Sequence, residues 1–150
     1  MVPVPPRLTR DDVACWVLKS ALPPAAVAPG WRPGAVVRLQ RCVRRSYRLD
    51  LVRPGQPCLL WVSGRDRPGV HALGEVVGPA GTREDGQPVL DVALRLLAAP
   101  VPRAQLLPHG GFRDAEVLRM PAGSNPSYLT PGQFAALAGL LPAGGGTPTR

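Results

Sequence analysis

Lysine is nearly missing from this chain of 150 residues: Lys19 stands alone among its 18 basic side chains. Aromatic residues are sparse at 5%, and charged residues make up only 19% against 45% hydrophobic ones. So little charge with so much apolar surface excludes the composition of an intrinsically disordered chain and predicts one globular domain. Cys15, Cys42 and Cys58 are odd in number, no C-x-x-C occurs, and His71 and His109 lie near none of them. This argues against a disulfide framework or a zinc site and predicts buried free thiols. No apolar run approaches the length of a membrane span, Val13 to Leu18 being among the longest, and residues 1–10 carry no apolar signal core. A cytoplasmic protein without membrane contacts is expected.

Catalytic patterns are missing as well. Ser63 lies in W-V-S-G rather than G-x-S-x-G, and neither G-x-x-x-x-G-K-[ST] nor G-x-G-x-x-G is present. His71 and Glu75, four residues apart on an expected strand, are separated by about 13 Å and cannot act as a pair. The expectation is a protein that is not an enzyme and needs no metal or cofactor.

What the chain has in excess is proline, glycine and arginine. With 20 prolines and 17 glycines, few stretches can stay helical, so short strands joined by many turns are expected. The net charge is +8, and residues 32–67 alone hold nine arginines against Asp50 and Asp66, a local excess of +7. Guanidinium groups suit bidentate contact with phosphate oxygens, so their clustering points to a polyanion partner. All three tryptophans and Tyr47 fall between residues 16 and 61, interleaved with these arginines. Arginine for a backbone and π-faces for an unstacked base are the components of a nucleic-acid surface. Trp16 and Trp61 sit on apolar strands, where core packing is the favoured reading of each, whereas Trp31, in the loop Pro29-Gly30-Trp31-Arg32, reads as a surface or rim residue.

Residues 1–12 read as a proline-stiffened leader, 13–141 as the domain and 142–150 as a flexible tail. Strands are expected at Val13 to Lys19, Pro57 to Ser63, Gly69 to Gly78 and Pro88 to Leu97, the second and third forming a hairpin. Residues 20–35 carry too many prolines and glycines for helix. Arg44 to Val52 can make two helical turns, and another turn fits Arg103 to Leu107. Thr130-Pro131-Gly132-Gln133 has the capping-box pattern and predicts a final helix along Phe134, Leu137, Leu140 and Leu141, ending at Pro142. The fold class is α+β: a mainly antiparallel sheet, closed or half closed into a small barrel, with short flanking helices.

Taken in order, these segments resemble the EVE domains of the PUA-like superfamily, relatives of the YTH domains. The matching residues are Cys15-Trp16-Val17-Leu18-Lys19-Ser20 in the first strand and Arg45-Ser46-Tyr47-Arg48 as a polar-Tyr segment. Pro54-Gly55-Gln56 and Leu59-Leu60-Trp61-Val62-Ser63-Gly64 follow as turn and strand, then Gly69 to Val76. Leu118 to Asn125 and Leu129-Thr130 complete the series, which spans about residues 13–141. Arg41 and Cys42 stand where many members carry Trp, and Ser46 where Asn is frequent.

The resemblance implies a PUA-like mixed β-barrel without catalytic activity that takes a modified base flipped out of nucleic acid. Prokaryotic relatives are linked to modified cytosines in DNA, often beside restriction nucleases, while YTH relatives read methylated adenine in RNA. The cost of extruding a base, a few kcal/mol, is recovered by stacking and by hydrogen bonds to its exposed edge. Carried over by position, the base pocket comprises Trp16, Lys19, Ser20, Ser46, Tyr47, Trp61, Ser63, Ser124 and Asn125. The phosphate contacts are Arg41, Arg44, Arg45, Arg48, Arg65 and Arg67. The implied partners are modified DNA, or RNA, and restriction or modification proteins, with the chain itself a monomer. A different class of function also fits the arginine strip: a nucleic-acid-associated or protein-interaction module without modified-base specificity.

Overall fold

Strands that are apolar on both faces organise the molecule, because such strands are stable only when covered on both sides. β1 (Cys15–Ser20) and β3 (Pro57–Val62) are of this kind, and they pair in parallel from Trp16 opposite Cys58 to Ser20 opposite Val62. The computed structural model describes residues 7–123 and 125–141. Residues 1–6 of the expected leader, the tail from 142 to 150 and Ser124 lie outside the described residues.

β4 (Gly69–Val76) returns antiparallel to β3, as the hairpin reading requires. β6 (Pro88–Pro102) continues the sheet beside β4 and is five residues longer than its apolar pattern indicates. β2 (Val36–Cys42) forms one edge against β6, the two-residue β5 (Gly81–Thr82) also pairs with β6, and β7 (Ser127–Leu129) forms the other edge against β1. The order is β2-β6-β4-β3-β1-β7, a mixed sheet with short helices around it. The ladder runs edge to edge without joining β2 to β7, so the closed barrel is not present as a continuous ladder.

The helices are short. α1 (Pro24–Val27) is a single turn inside the stretch expected to be free of helix, and it forms because Pro24 occupies the first turn, where no N–H is needed. Residues Tyr47–Leu51 form a 3-10 turn capped by Ser46, whose side chain accepts from the Arg48 N–H. α2 (Arg103–Leu106) and α3 (Glu116–Arg119) are also single turns. α4 (Pro131–Ala138) starts at the expected capping box, with Thr130 and Gln133 bonding each other's backbone N–H at 3.2 and 3.0 Å.

Alternation along the strands sorts the core into two clusters. Cys15, Val17, Leu59 and Trp61 pack with Phe112 and with Leu106, Val117 and Leu137 of the helices. Trp16, Leu18, Cys58, Leu60, Leu90, Val92 and Leu94 pack on the other face, with Val37 and Leu39 against them and no residue of an α-helix. That second cluster is the inside of a sheet curled around its own side chains. Cys15 and Cys58 are buried as expected, and burial raises both thiols, Cys58 to about 12. Cys42 differs: it lies on the outward face of edge strand β2 and is exposed.

Candidate nucleic-acid interface

β1 carries the site because it ends where three other segments arrive. At its C-terminal end the backbone N–H of Lys19 donates to Asn125 Oδ1 at 3.2 Å. The Asn125 amide nitrogen donates to the Cys42 carbonyl at 3.3 Å, and its own carbonyl accepts from the Arg44 N–H at 2.6 Å. Asn125 thus stitches the end of β2 to β1 across the gap in the ladder. One residue further along, the Ser20 carbonyl accepts from both the backbone N–H and the hydroxyl of Ser63, at 2.8 and 3.3 Å.

Lys19, Ser20, Ser63 and Asn125, all expected at the base pocket, are therefore brought together by backbone geometry. Their spare hydrogen-bonding capacity differs. The Ser20 hydroxyl is occupied by Leu22, donating to its carbonyl at 2.8 Å and accepting from its N–H at 3.0 Å. Lys19 Nζ reaches across to the carbonyls of Met120 and Pro121 at 3.4 and 3.2 Å. Burial lowers the affinity of this amine for its proton, while Glu116 pulls in the other direction and Arg48 and Arg44 add to the lowering.

Beneath this end lies an ion pair that the sequence did not reveal. Arg48 meets Glu116 in a two-point contact at 2.8 and 2.7 Å, each side chain only 12% exposed, and Ser127 donates to the same carboxylate at 2.7 Å. Burial alone would raise the Glu116 carboxyl; hydrogen bonds from Arg48 and Ser127 outweigh it and hold the group below the usual carboxylate range. Arg48 also donates to the Pro126 carbonyl and lies 5.3 Å from the Tyr128 ring centroid. Expected at a phosphate, its guanidinium is instead engaged inside the molecule. The partners are 68 residues apart, and no local pattern around Glu116 signals the pairing.

The tryptophans are core. Trp16 is fully buried, with its indole N–H donating to Gln56 at 2.8 Å, and Trp61 is buried with its ring stacked 6.5 Å from Phe112. Both lie on strands covered on each face, which buries all their side chains but Pro57 and Lys19. Trp31, expected on the rim, folds under its own loop, donates to the Ala35 carbonyl at 2.9 Å and is also buried. Ser46 serves as the cap of the 3-10 turn. Tyr47 is half-buried under the chain's own start, its hydroxyl accepting from the Leu8 N–H at 2.9 Å and its ring facing the Arg7 guanidinium at 4.6 Å.

Of the remaining arginines, Arg44, Arg45, Arg65 and Arg67 are exposed. Arg44 adjoins Asn125, and Arg65 and Arg67 occupy the β3–β4 turn just beyond Ser63, so they flank the end of β1 from two sides. The turn is held by His71, whose Nε2 is 2.6 Å from the Arg67 carbonyl and donates to it as the Nε2–H tautomer. Arg45 is anchored on the Gly86 carbonyl at 2.9 Å and borders an open groove of about 470 Å³ that also touches Asp50, Arg53 and Thr82. Arg41 faces the inner side of β2, in the row of Val37 and Leu39, rather than the outer rim.

No protein-family model matches the chain, and no curated protein matches it. Solved structures do share its fold. A protein from Pseudomonas putida superposes with a TM-score of 0.65 at 17% identity over 85% of this chain and 99% of its own. The human THYN1 protein, solved in complex with DNA containing 5-methylcytosine, gives a TM-score of 0.62 at 16% identity, covering 84% of this chain and 96% of that one. The DUF55 domain of human thymocyte nuclear protein 1 follows at a TM-score of 0.57 and 18% identity over 84% and 97%. The chain has the same mixed α+β fold as these proteins at 16–18% sequence identity.

Proposed function

We propose that the chain binds nucleic acid at the end of β1 and accommodates a modified base there, a modified cytosine in DNA, without catalysing a reaction. The observation that carries this reading is the convergence of Lys19, Ser20, Ser63 and Asn125 between exposed arginines, Arg44 on one side and Arg65 and Arg67 on the other. Guanidinium groups on both flanks supply the sequence-independent phosphate contacts, and the unused hydrogen-bonding capacity of Lys19, Ser63 and Asn125 between them supplies hydrogen bonds to a base edge. The fold shared with THYN1, solved with 5-methylcytosine DNA, supports the choice of DNA and of cytosine. Tryptophan walls have no part in it, since all three indoles are core.

The test is fluorescence anisotropy with one labelled duplex carrying cytosine, 5-methylcytosine or 5-hydroxymethylcytosine at a single position, titrated at two salt concentrations. The expected result is a common salt-sensitive background with one modified duplex bound about tenfold more tightly. Equal affinity for all three, lost together as salt rises, would leave only phosphate binding and overturn the reading.

A further inference from the structure

Arg41 is out of place for a phosphate contact. Along β2 the exposed side chains are Val36, Arg38, Gln40 and Cys42, and the partly buried ones are Val37, Leu39 and Arg41. Val37 and Leu39 pack against the inner cluster, so the two-residue period of the strand sends Arg41 to the same side. Its Nε is buried and has no hydrogen-bond partner, the one side-chain nitrogen or oxygen in that condition among the described residues.

An unpaired buried donor is costly, and a charged one more so, so a native chain retains it where something else fills it. Inward charges do guard exposed sheet edges against strand addition, and β2 is an edge. Any cation serves that purpose, however, and a sealed Nε adds nothing to it. The position says more. Arg41 precedes Cys42, whose carbonyl accepts from Asn125, the residue that also holds Lys19. The inner row of β2 therefore ends at the seam where β1 ends.

We propose that Arg41 is the specificity-determining residue of this site, presenting Nε–H and a neighbouring Nη–H side by side to two adjacent acceptors on a base edge. Arginine only donates, and its planar fork fits a paired acceptor edge, as it does the O6/N7 pair of guanine in duplex DNA. On cytosine the paired acceptors are N3 and O2, which become available once the base is unpaired. This rests on the reading of the chain as a binder of modified cytosine. It assigns the cytosine ring to Arg41 and leaves the modification to other contacts.

The experiment compares wild type, Arg41→Lys and Arg41→Met on duplexes with cytosine, 5-methylcytosine or its neutral 3-deaza analogue, in which C–H replaces the N3 acceptor, at one position. Wild type is expected to bind the 3-deaza-5-methylcytosine duplex about tenfold or more weakly than the 5-methylcytosine duplex, having lost one acceptor. Arg41→Lys keeps the inward charge but not the fork, and it should bind those two duplexes alike while retaining the salt-sensitive background. Arg41→Met should do the same and melt no lower than wild type, because it removes an unpaired donor rather than a contact. N3 discrimination in Arg41→Lys equal to that of wild type, or no N3 effect in wild type, overturns the assignment. Failure of the modified-base reading shows separately, as equal wild-type affinity for the cytosine and 5-methylcytosine duplexes.

Discussion

Glu116 is the residue on which the underside of the site depends. It accepts two hydrogen bonds from Arg48 and one from Ser127, and its charge bears on Lys19 above. Removing one partner of a pair this shielded leaves the other guanidinium uncompensated, so Glu116→Gln is expected to lower stability by about 2–3 kcal/mol in chemical denaturation at pH 7. The pH dependence follows from the lowered carboxyl. Its contribution is complete above the unfolded carboxylate value, about 4.3, and disappears as pH falls through the lower folded value. Wild type should therefore lose stability on acidification through that window more steeply than Glu116→Gln, and parallel curves for the two proteins would contradict the pairing.

At the scale of elements, the strands that sequence made legible are those whose pattern was uniform. β1, β3 and β4 were visible as apolar runs between turn signals, and α4 as a capping box followed by apolar residues at helical spacing. β2 was not recognised, because its arginines were read only as part of the basic cluster, although Val37 and Leu39 already alternate. Single-turn helices such as α1 and α3 carry too few residues to set a period. β7 has only three residues and is defined by its partner β1. The candidate site divides the same way: Lys19, Ser20, Ser63 and Asn125, which the fold brings together, were named from their order along the chain, whereas burial of the tryptophans depended on cover from both faces. Close packing between strands gives one sharp expectation here. A Cβ on Gly74 would collide with the backbone of Ala93 and Leu94 on β6. Gly74→Ala should cost at least about 2 kcal/mol, measured as a fall in the denaturation midpoint, because the obstructing atoms are backbone and cannot swing aside.

For the whole molecule, the charge matters more than any single arginine. Most of the +8 excess lies between residues 32 and 67, but the fold distributes it: Arg48 is neutralised within the structure, Arg41 turns inward, and Arg44, Arg45, Arg65 and Arg67 remain on the surface. Replacing Arg44 and Arg65 together by alanine removes one exposed cation from each side of the β1 end. If both contact duplex phosphates, the slope of log affinity against log salt should flatten by about 1.8, and binding to every sequence should weaken alike. An unchanged slope would place the nucleic acid elsewhere. No helix among the described residues is long and apolar enough to cross a membrane.

The seam made by Asn125 also bears on assembly. It joins residues 19, 42, 44 and 125, which stand far apart along the chain, whereas the β3–β4 hairpin beside it joins neighbours. Contacts of such long separation are rewarded only after intervening loops have closed. The hairpin can therefore form early, and the stitch only once β1, β2 and the segment before β7 are in place. The junction of β1 with β2 is then the last part of the sheet to be secured and, being held by a side chain in place of a ladder, the first to loosen.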